Sequence, residues 1–173
     1  NGRGRNIKIN SFGNKLCGKF RPGHFKAVVD VVDRFVEIIK PKKIFLGKKD
    51  FQQLKIIEDY FIKKNIKTKI IECNTIRESN GIAYSSRNIL LSSSKKKIAS
   101  KVIKLIANKK KDWIKKKTTT KILKNKILEL GVKKIDYVTI LDINKIIKPF
   151  KKKNKYKIFI AYYLDSIRLI DNI

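Results

Sequence analysis

The sequence predicts an α/β fold in two parts: a parallel sheet with helices, followed by a small α+β unit with an antiparallel sheet. Three observations support this prediction: helical and strand-like segments alternate up to residue 73, two helical patterns follow, and three strand-like segments close the chain. With 173 residues, of which 42% are hydrophobic, the chain is long enough for one ordinary domain or two small ones.

The parallel sheet is predicted from the first of these patterns. Apolar residues from Phe25 to Ile39 follow the 3.6-residue period of one helical face, and Pro41 ends that helix. Residues 42–47 and 67–73 are short apolar runs typical of buried parallel strands, and an amphipathic helix over residues 50–65 separates them. Helices and strands that alternate through short loops favour a parallel sheet.

The antiparallel unit is predicted from the remaining patterns. Helical periodicity covers residues 94–111 and 118–130, and Gly131 is typical of a helix end. The strand-like runs are residues 136–141, 156–163 and 166–173. Two helices followed by consecutive strands indicate an α+β unit, which differs in kind from the first part.

We place the boundary between the two parts inside a stretch without lysine. Residues 70–94 contain none of the 37 lysines of the chain. Gly, Ser, Arg and Asn are prominent instead in the segment "SNGIAYSSRN" (79–88). The pattern changes near Ser85, so we predict domains of residues 1–84 and 85–173.

The formal net charge of +30 limits the possible functions. Such a surplus is typical of proteins that bind nucleic acid or anionic surfaces. Lys outnumbers Arg 37 to 7 and occurs in nearly every segment, which indicates compositional drift and a solvated surface instead. The alternative function that stays open is a basic, non-enzymatic α/β protein that binds RNA or DNA, with an affinity that falls steeply as salt is added.

Several classes of protein and site are disfavoured. The sequence has no apolar run long enough to span a membrane and no signal-peptide pattern. Cys17 and Cys73 lie far apart without metal-type spacing, and His24 is the single histidine, so we predict no metal site in this chain. Two free thiols predict a reducing, cytoplasmic compartment. The chain begins at Asn1 and has no Met, so we expect that upstream sequence is missing.

The segment "GKKD" (47–50) is a candidate ligand site because it joins a predicted strand to a helix. Ligands of parallel α/β sheets bind beyond the carboxyl ends of the strands. Gly47 would let the backbone approach a ligand, and Lys48 or Lys49 can reach phosphate oxygens. Asp50 would either accept hydrogen bonds from a ribose or only cap its own helix.

Two further clusters stand at similar places. Ser85, Ser86 and Arg87 follow the next predicted strand and suit a polyphosphate, although the same residues also make a plausible turn and cap. Arg21 and His24 flank a predicted helix start, where either an anion or a structural hydrogen bond is favoured. Gln52 and Gln53 fall in a first helical turn, where one amide could point into the crevice or both could be solvated.

Four motifs in register resemble the pantothenate synthetase (pantoate–β-alanine ligase) family. They are "RPGHF" (21–25), "GKKDFQQL" (47–54), "IRESNGIAYSSRN" (76–88) and "RLIDN" (168–172). The resemblance implies an ATP-dependent ligase that forms pantoyl adenylate and then pantothenate, releasing pyrophosphate and AMP. It also implies a Rossmann-type domain, a smaller C-terminal lid domain, a homodimer, and Mg²⁺ with ligands outside this chain.

The resemblance assigns roles to individual residues. It places Gly47 and Asp50 on the ATP ribose, Lys49 on the phosphates, Gln53 on pantoate and the Ile76 backbone on the adenine edge. Ser85, Ser86 and Arg87 would form a mobile phosphate loop. The residues expected to contact ATP are Gly47, Lys48, Lys49, Asp50, Ile76, Tyr84, Ser85, Ser86 and Arg87. The expected catalytic residues are Lys49, Ser86 and Arg87, with Arg21 and His24 as possible supporting residues.

The sequence departs from the family pattern at identifiable places. The family's first signature, a pair of histidines, belongs to an N-terminal segment that is absent here, together with most pantoate contacts. Asn80 stands where Asp is common, Tyr84 where an apolar residue is common, and Ala27 where Gly is usual. None of these three changes removes an expected catalytic residue.

Overall fold

A computed structural model describes residues 6–146 and 150–173. The chain divides into two compact units, Asn1–Asn74 and Thr75–Ile173. The first contains a parallel two-stranded sheet and the second an antiparallel three-stranded sheet. The predicted fold class, a parallel α/β part followed by an α+β unit, is confirmed.

Helices and strands alternate in the first unit as predicted, but the prediction that both strands are buried is wrong, since every residue of the two strands is exposed or half-buried. Its elements are α1 (Cys17–Phe20), α2 (His24–Ile39), β1 (Lys43–Gly47), α3 (Phe51–Lys63) and β2 (Lys69–Cys73). Lys40 ends α2 in the left-handed conformation, where its N–H donates to the Val36 carbonyl before Pro41. The strands pair in parallel with Gly47 opposite Cys73, so the segments that leave both strands begin side by side.

The buried face of α3 forms the core of this unit. Leu54 and Ile57 are 1% and 0% exposed, and Val29 from α2 is 1% exposed. Their spacing matches the apolar stripe expected of amphipathic helices packed against a sheet. On the polar side, Lys55 forms ion pairs with Glu58 and Glu72.

Two helices and three strands form the second unit. They are α4 (Ser93–Ile114), α5 (Thr120–Glu129), β3 (Lys134–Asp142), the short α6 (Ile143–Ile146), β4 (Tyr156–Leu164) and β5 (Ile167–Asn172). The strand order is β3-β4-β5 and both pairings are antiparallel, which confirms the predicted meander. Ser92 and Thr119 cap the two long helices by accepting hydrogen bonds from the N–H groups of Lys95 and Ile122.

Apolar side chains from α4, α5 and the sheet make one core. Ile106, Leu123, Ile127, Ile158 and Ile160 are fully buried within it. Because α4 packs its apolar stripe against β4 and α5 packs its stripe against β3, the polar faces and most lysines remain outside.

The structure groups residues 75–84 with the second unit. Ile82 belongs to its apolar core, and Arg77 pairs with Asp171 on β5. The packing division therefore lies at Asn74, within the lysine-free stretch but before the predicted boundary. The boundary at residues 84/85 stays a prediction about the domains of the working protein.

The longest helix of the structure, α4, has 22 residues and carries lysines along its polar face. Across residues 6–146 and 150–173, no helix has the length and apolar character needed to cross a bilayer.

Lys157 provides a test of the second unit's electrostatics. The side chain lies on β4, where burial and then repulsion from Lys110 lower its pKa to about 8 from the ordinary 10.5. The folded state therefore disfavours the charged amine. The resulting loss of folding stability becomes smaller as the pH rises from about 8 to 10.5. Lys157→Met should raise the free energy of unfolding at pH 7 by about 1 kcal/mol, after allowance for screening by solvent.

Chemical denaturation at pH 7 and pH 10 would measure this effect. The advantage of Lys157→Met over the wild type should shrink at the higher pH. Lys97→Met, at an exposed position on α4, is the matched control. Equal gains from both variants would show that general charge reduction, and not burial of Lys157, is responsible.

Candidate functional site

The end of β1 carries the first candidate cluster. Gly47 ends the strand, and a 3₁₀ turn over Lys48–Asp50 leads directly into α3. The Lys48 ammonium donates to the Asn74 side-chain oxygen at 3.1 Å and lies 3.5 Å from a Glu72 carboxylate oxygen. The carboxyl ends of both strands are thus joined by one side chain, at the edge where parallel sheets bind ligands.

Lys49 and Asp50 lie next to each other at this edge. The Lys49 ammonium is 4.0 Å from an Asp50 carboxylate oxygen, and the Asp50 side chain is 48% exposed. Asp50 stands at the N-cap of α3, yet its side chain makes no capping hydrogen bond. The interpretation of Asp50 as an ordinary cap is therefore not supported, and its carboxylate remains accessible to a ligand.

Neither the backbone angles nor the packing around Gly47 requires a glycine. Its φ of −72° and ψ of 132° suit any residue. A Cβ atom built there would meet nothing within 4 Å. The backbone at the end of β1 therefore borders open space, as close approach of a ligand requires.

The two neighbouring glutamines have different environments. Gln52 is 6% exposed. Its amide nitrogen donates to the Phe12 and Lys15 carbonyls, both at 2.7 Å, and its oxygen accepts from the Cys17 N–H at 3.1 Å. Gln53 is only half-buried. Gln52 is thus a structural residue that sequence reasoning missed, and Gln53 is the glutamine whose side chain is partly exposed.

Arg21 and His24 lie where predicted, at the start of α2. The His24 N–H donates to the Arg21 carbonyl at 3.2 Å, and Gly23 takes a φ of +78° between them. The His24 ring lies 5.0 Å from the Phe25 ring. These contacts give His24 a structural place at the helix start, and Arg21 is exposed.

The second candidate cluster is a turn in the second unit that brings Ile76 and Tyr84 together. The Tyr84 N–H donates to the Ile76 carbonyl at 3.0 Å, and Arg77 and Ala83 form an isolated antiparallel bridge. Gly81 has a φ of +90°, which favours glycine at the tip of this turn. Residues 76–84 thus form a short stem whose two ends present Ile76 and Tyr84.

Tyr84–Arg87 leaves this stem on the surface and leads into a 3₁₀ helix, Ser86–Leu90. We call residues 84–87 the phosphate loop, because they contain the predicted loop residues Ser85, Ser86 and Arg87. Tyr84, Ser86 and Arg87 are exposed, and the Ser85 hydroxyl accepts a hydrogen bond from the Arg87 N–H at 3.3 Å. A cavity of about 780 Å³ lies beside the loop. Its lining residues are Glu78, Ser79, Tyr84, Ser85, Ser86, Asn88, Ile89 and Lys96.

Glu78 and two asparagines support the loop from behind. Asn88 is buried and donates to a Glu78 carboxylate oxygen at 2.6 Å and to the Ala83 carbonyl at 3.1 Å. Asn80 donates to the other Glu78 oxygen at 3.0 Å and accepts from the Ile82 N–H at 2.9 Å. Hydrogen bonds from Asn88 and Asn80 lower the pKa of Glu78.

This network explains one departure from the family pattern. An Asp at position 80 would place a second carboxylate against Glu78, where Asn80 instead donates a hydrogen bond. The amide therefore suits this particular surrounding. Glu78, Asn88 and Lys96 were not predicted as cavity residues: hydrogen bonds within the turn place Glu78 and Asn88 there, and α4 supplies Lys96.

The predicted site residues thus fall into two groups, one in each unit. The first unit brings together Gly47, Lys48, Lys49, Asp50 and Gln53, with Arg21 and His24 at the start of another helix. The second unit brings together Ile76, Tyr84, Ser85, Ser86 and Arg87. Across residues 6–146 and 150–173, no three His, Cys, Asp or Glu side chains group as metal ligands would.

The two glutamines give a stability test with an internal control. Gln52→Ala should lower the free energy of unfolding by about 2–4 kcal/mol, because it removes the hydrogen bonds of a buried side chain to the Phe12 and Lys15 carbonyls and to the Cys17 N–H. Gln53→Ala should change it by less than about 0.5 kcal/mol. Urea denaturation of the three proteins measures both values, and a large loss for Gln53→Ala would contradict the separation of roles.

The family model and the relatives found by comparison with known proteins all name the same family. The sequence model of the family described as pantoate-beta-alanine ligase matches residues 4–173. A pantothenate synthetase from Sulfurihydrogenibium sp. (strain YO3AOP1) is 35% identical over 173 residues, covering 96% of this chain and 61% of the relative. Another from Azobacteroides pseudotrichonymphae genomovar. CFP2 is 39% identical over 180 residues, covering 97% and 62%.

Two solved structures are also similar. A pantothenate synthetase from Thermus thermophilus shares the fold, with a TM-score of 0.80 at 24% identity over 96% of this chain and 62% of that chain. A pantoate-beta-alanine ligase from Francisella tularensis, complexed with β-γ ATP and β-alanine, gives a TM-score of 0.72 at 33% identity over 97% and 58%. The chain spans about three fifths of the length of these relatives.

Proposed function

The chain belongs to the pantoate–β-alanine ligase family, and we propose that it carries the phosphate-binding part of an ATP-dependent enzyme of coenzyme A biosynthesis. In the proposed reaction, the carboxylate of pantoate attacks the α-phosphate of ATP, so that pantoyl adenylate forms and pyrophosphate leaves. The amine of β-alanine then attacks the acyl carbonyl. AMP leaves as the amide bond of pantothenate forms.

The exposed phosphate loop beside its cavity is the observation that carries this proposal. Negative charge develops on pyrophosphate as it leaves, and donors held in place stabilise that charge. Arg87 supplies a forked cation and Ser86 a hydroxyl, both exposed on the loop. Lys49 supplies a further ammonium from the end of β1, where Lys48 is already engaged with Asn74 and Glu72.

The remaining roles concern the positions of the substrates. We assign the ATP ribose to Gly47 and Asp50, because the first borders open space and the second has an accessible carboxylate. Gln53 would hydrogen-bond pantoate, and the Ile76 and Tyr84 backbones would face the nucleotide. Holding both substrates in a reactive geometry supplies much of the remaining rate enhancement.

The exposed apolar surface of the first unit supports a larger working enzyme. Parallel sheets are normally covered on both faces. Here Phe45 on β1 is 67% exposed, and Phe35 and Ile38 on α2 are 59% and 78% exposed. We infer that further family sequence, which bears the histidine signature and most pantoate contacts, covers these residues. Residues 85–173 would then act as a lid in a cytoplasmic homodimer.

Mg²⁺ is usually bound through one or two carboxylates together with substrate phosphates and waters. The residues that the structure describes offer no group of three His, Cys, Asp or Glu side chains. As the family resemblance implies, we propose that the protein ligands of Mg²⁺ lie outside this chain, and none of the steps above depends on it.

Adenylate formation can be tested through pantoate-dependent exchange of labelled pyrophosphate into ATP. The full product of the gene should catalyse this exchange when Mg²⁺ is supplied. Arg87→Lys should slow it about 10- to 100-fold, because a lysine keeps the charge but loses the fork that binds two oxygens. Lys101→Ala, at an exposed position on α4, should leave the rate within about twofold.

Two outcomes would contradict the proposal. A folded full-length protein without exchange would exclude the ligase activity itself. Equal effects of Arg87→Lys and Lys101→Ala would instead show that the loop does not bind phosphate.

Gly47→Ala tests the proposed contact between the ATP ribose and the end of β1. The folded protein should lose no stability, since the backbone angles suit alanine and the new methyl group meets open space. Affinity for ATP should fall about tenfold if the ribose approaches this backbone closely. Calorimetric titration with ATP, next to a thermal unfolding curve, separates the two effects. Unchanged affinity would place the ribose elsewhere.

A further inference from the structure

We propose that Arg77 and Asp171 are positioning residues that hold the phosphate loop on the C-terminal strand β5. This inference rests on the proposed function, because the role of the loop in ATP binding is what makes its position important. The pair joins residues that are 94 positions apart, a turn next to the loop and the end of the chain.

The geometry of the pair is that of a rigid connection. Both terminal nitrogens of Arg77 donate to Asp171, one to each carboxylate oxygen, at 2.7 and 2.9 Å. The same guanidinium donates to the Gly81 carbonyl at 3.0 Å, within the turn that leads to the loop. The Asp171 side chain is 4% exposed, and the Asn172 N–H donates to it at 2.7 Å. A planar fork satisfies all these acceptors at once, which a lysine cannot do.

Asp171 is itself fixed by the sheet. It lies opposite Ile160 in the pairing of β4 with β5, and Ile160 is fully buried. Beyond it, Ile158 and Ile173 exchange two backbone hydrogen bonds of 2.9 and 3.0 Å. Arg77 thus binds the stem, residues 76–84, directly to a packed strand.

A second contact holds the other end of the loop. Asn88, directly after Arg87, is buried and donates to the Ala83 carbonyl and to Glu78. Ser100 on α4 donates to the Asn80 carbonyl at 2.6 Å, which fixes the turn to the helix as well. Both ends of the exposed loop therefore join the same turn, which Arg77 fixes to β5 and Ser100 fixes to α4.

This arrangement should lower the cost of binding a polyanion. A loop that is ordered before the ligand arrives loses less conformational freedom on binding. Loss of the Arg77–Asp171 pair should therefore raise the KM for ATP even under conditions in which the variant protein remains folded. A residue that only stabilises the fold would not affect the loop selectively.

Arg168 and Asp136 supply a matched control. Arg168 on β5 donates to Asp136 on β3 at 2.8 Å, and the Asp136 side chain is 1% exposed. This pair is also an arginine–aspartate ion pair with a buried carboxylate, but it is formed through the Arg168 Nε and connects two strands. Arg77→Lys and Arg168→Lys therefore each remove a guanidinium from a buried aspartate, and only the first change affects the turn.

Hydrogen exchange of backbone amides in the 173-residue chain, without ATP, is the decisive measurement. Arg77→Lys should accelerate exchange of the Tyr84 and Asn88 amides at least about tenfold relative to amides of β4. Arg168→Lys should leave that ratio within about twofold. Equal acceleration by both variants, or no selective change with Arg77→Lys, would overturn the proposal.

If the variants do not fold, hydrogen exchange of the wild-type chain still tests the proposal. The Tyr84 amide should then be protected to a degree comparable with β4 amides, and exchange thousands of times faster would show that the loop is not held. Asp171→Asn, which keeps the volume of the side chain, is a second variant with the same expected selectivity.

Kinetics of the full-length enzyme complete the test. Arg77→Lys should raise KM for ATP about tenfold, whereas Arg168→Lys should leave it within about twofold. Failure of the ligase proposal would appear as absent pyrophosphate exchange in the wild type. Failure of the positioning proposal would appear as unselective hydrogen exchange, which requires no activity at all.

Discussion

Two buried aspartates, each paired with an arginine, fix the sheet of the second unit and the turn beside it. Asp136 joins the outer strands through Arg168, and Asp171 joins the sheet to the turn through Arg77. Removal of one partner would leave a buried charge without compensation, so each pair constrains both of its members. In a chain of 37 lysines and 7 arginines, arginine stands at these two positions because the forked guanidinium provides several directed donors.

The elements of the fold follow from local patterns, whereas the roles of several residues do not. The period of the apolar residues predicted both long helices of the first unit, and short apolar runs predicted the parallel strand that follows each of them. Gln52 and Gln53 are adjacent and identical in type, and only the packing of residues 12–17 decides which one is buried. The terminal "RLIDN" motif could be noticed in the sequence, but contacts 94 residues away give Asp171 its role.

The lack of lysine in one part of the lysine-free stretch, residues 78–88, has a structural explanation. Within the described turn, short side chains serve as both donors and acceptors: Asn80 and Asn88 donate to Glu78, and Asn80 also accepts from the backbone. Lysine offers no acceptor and carries a long stem, so it cannot replace these groups. The lysine-free stretch contains both the division between the packed units, after Asn74, and the phosphate loop, residues 84–87.

The apolar surface of the first unit also affects how isolated chains behave toward one another. Within the described residues, β1 and β2 form a two-stranded sheet with open edges, and Phe35, Ile38 and Phe45 are exposed nearby in sequence. Such surfaces are sites of self-association. The charge of +30 opposes it, because identical chains repel one another over a distance of about 30 Å in 0.01 M salt and about 10 Å in 0.1 M salt. Ionic strength therefore decides whether these chains remain dispersed or meet through their apolar faces.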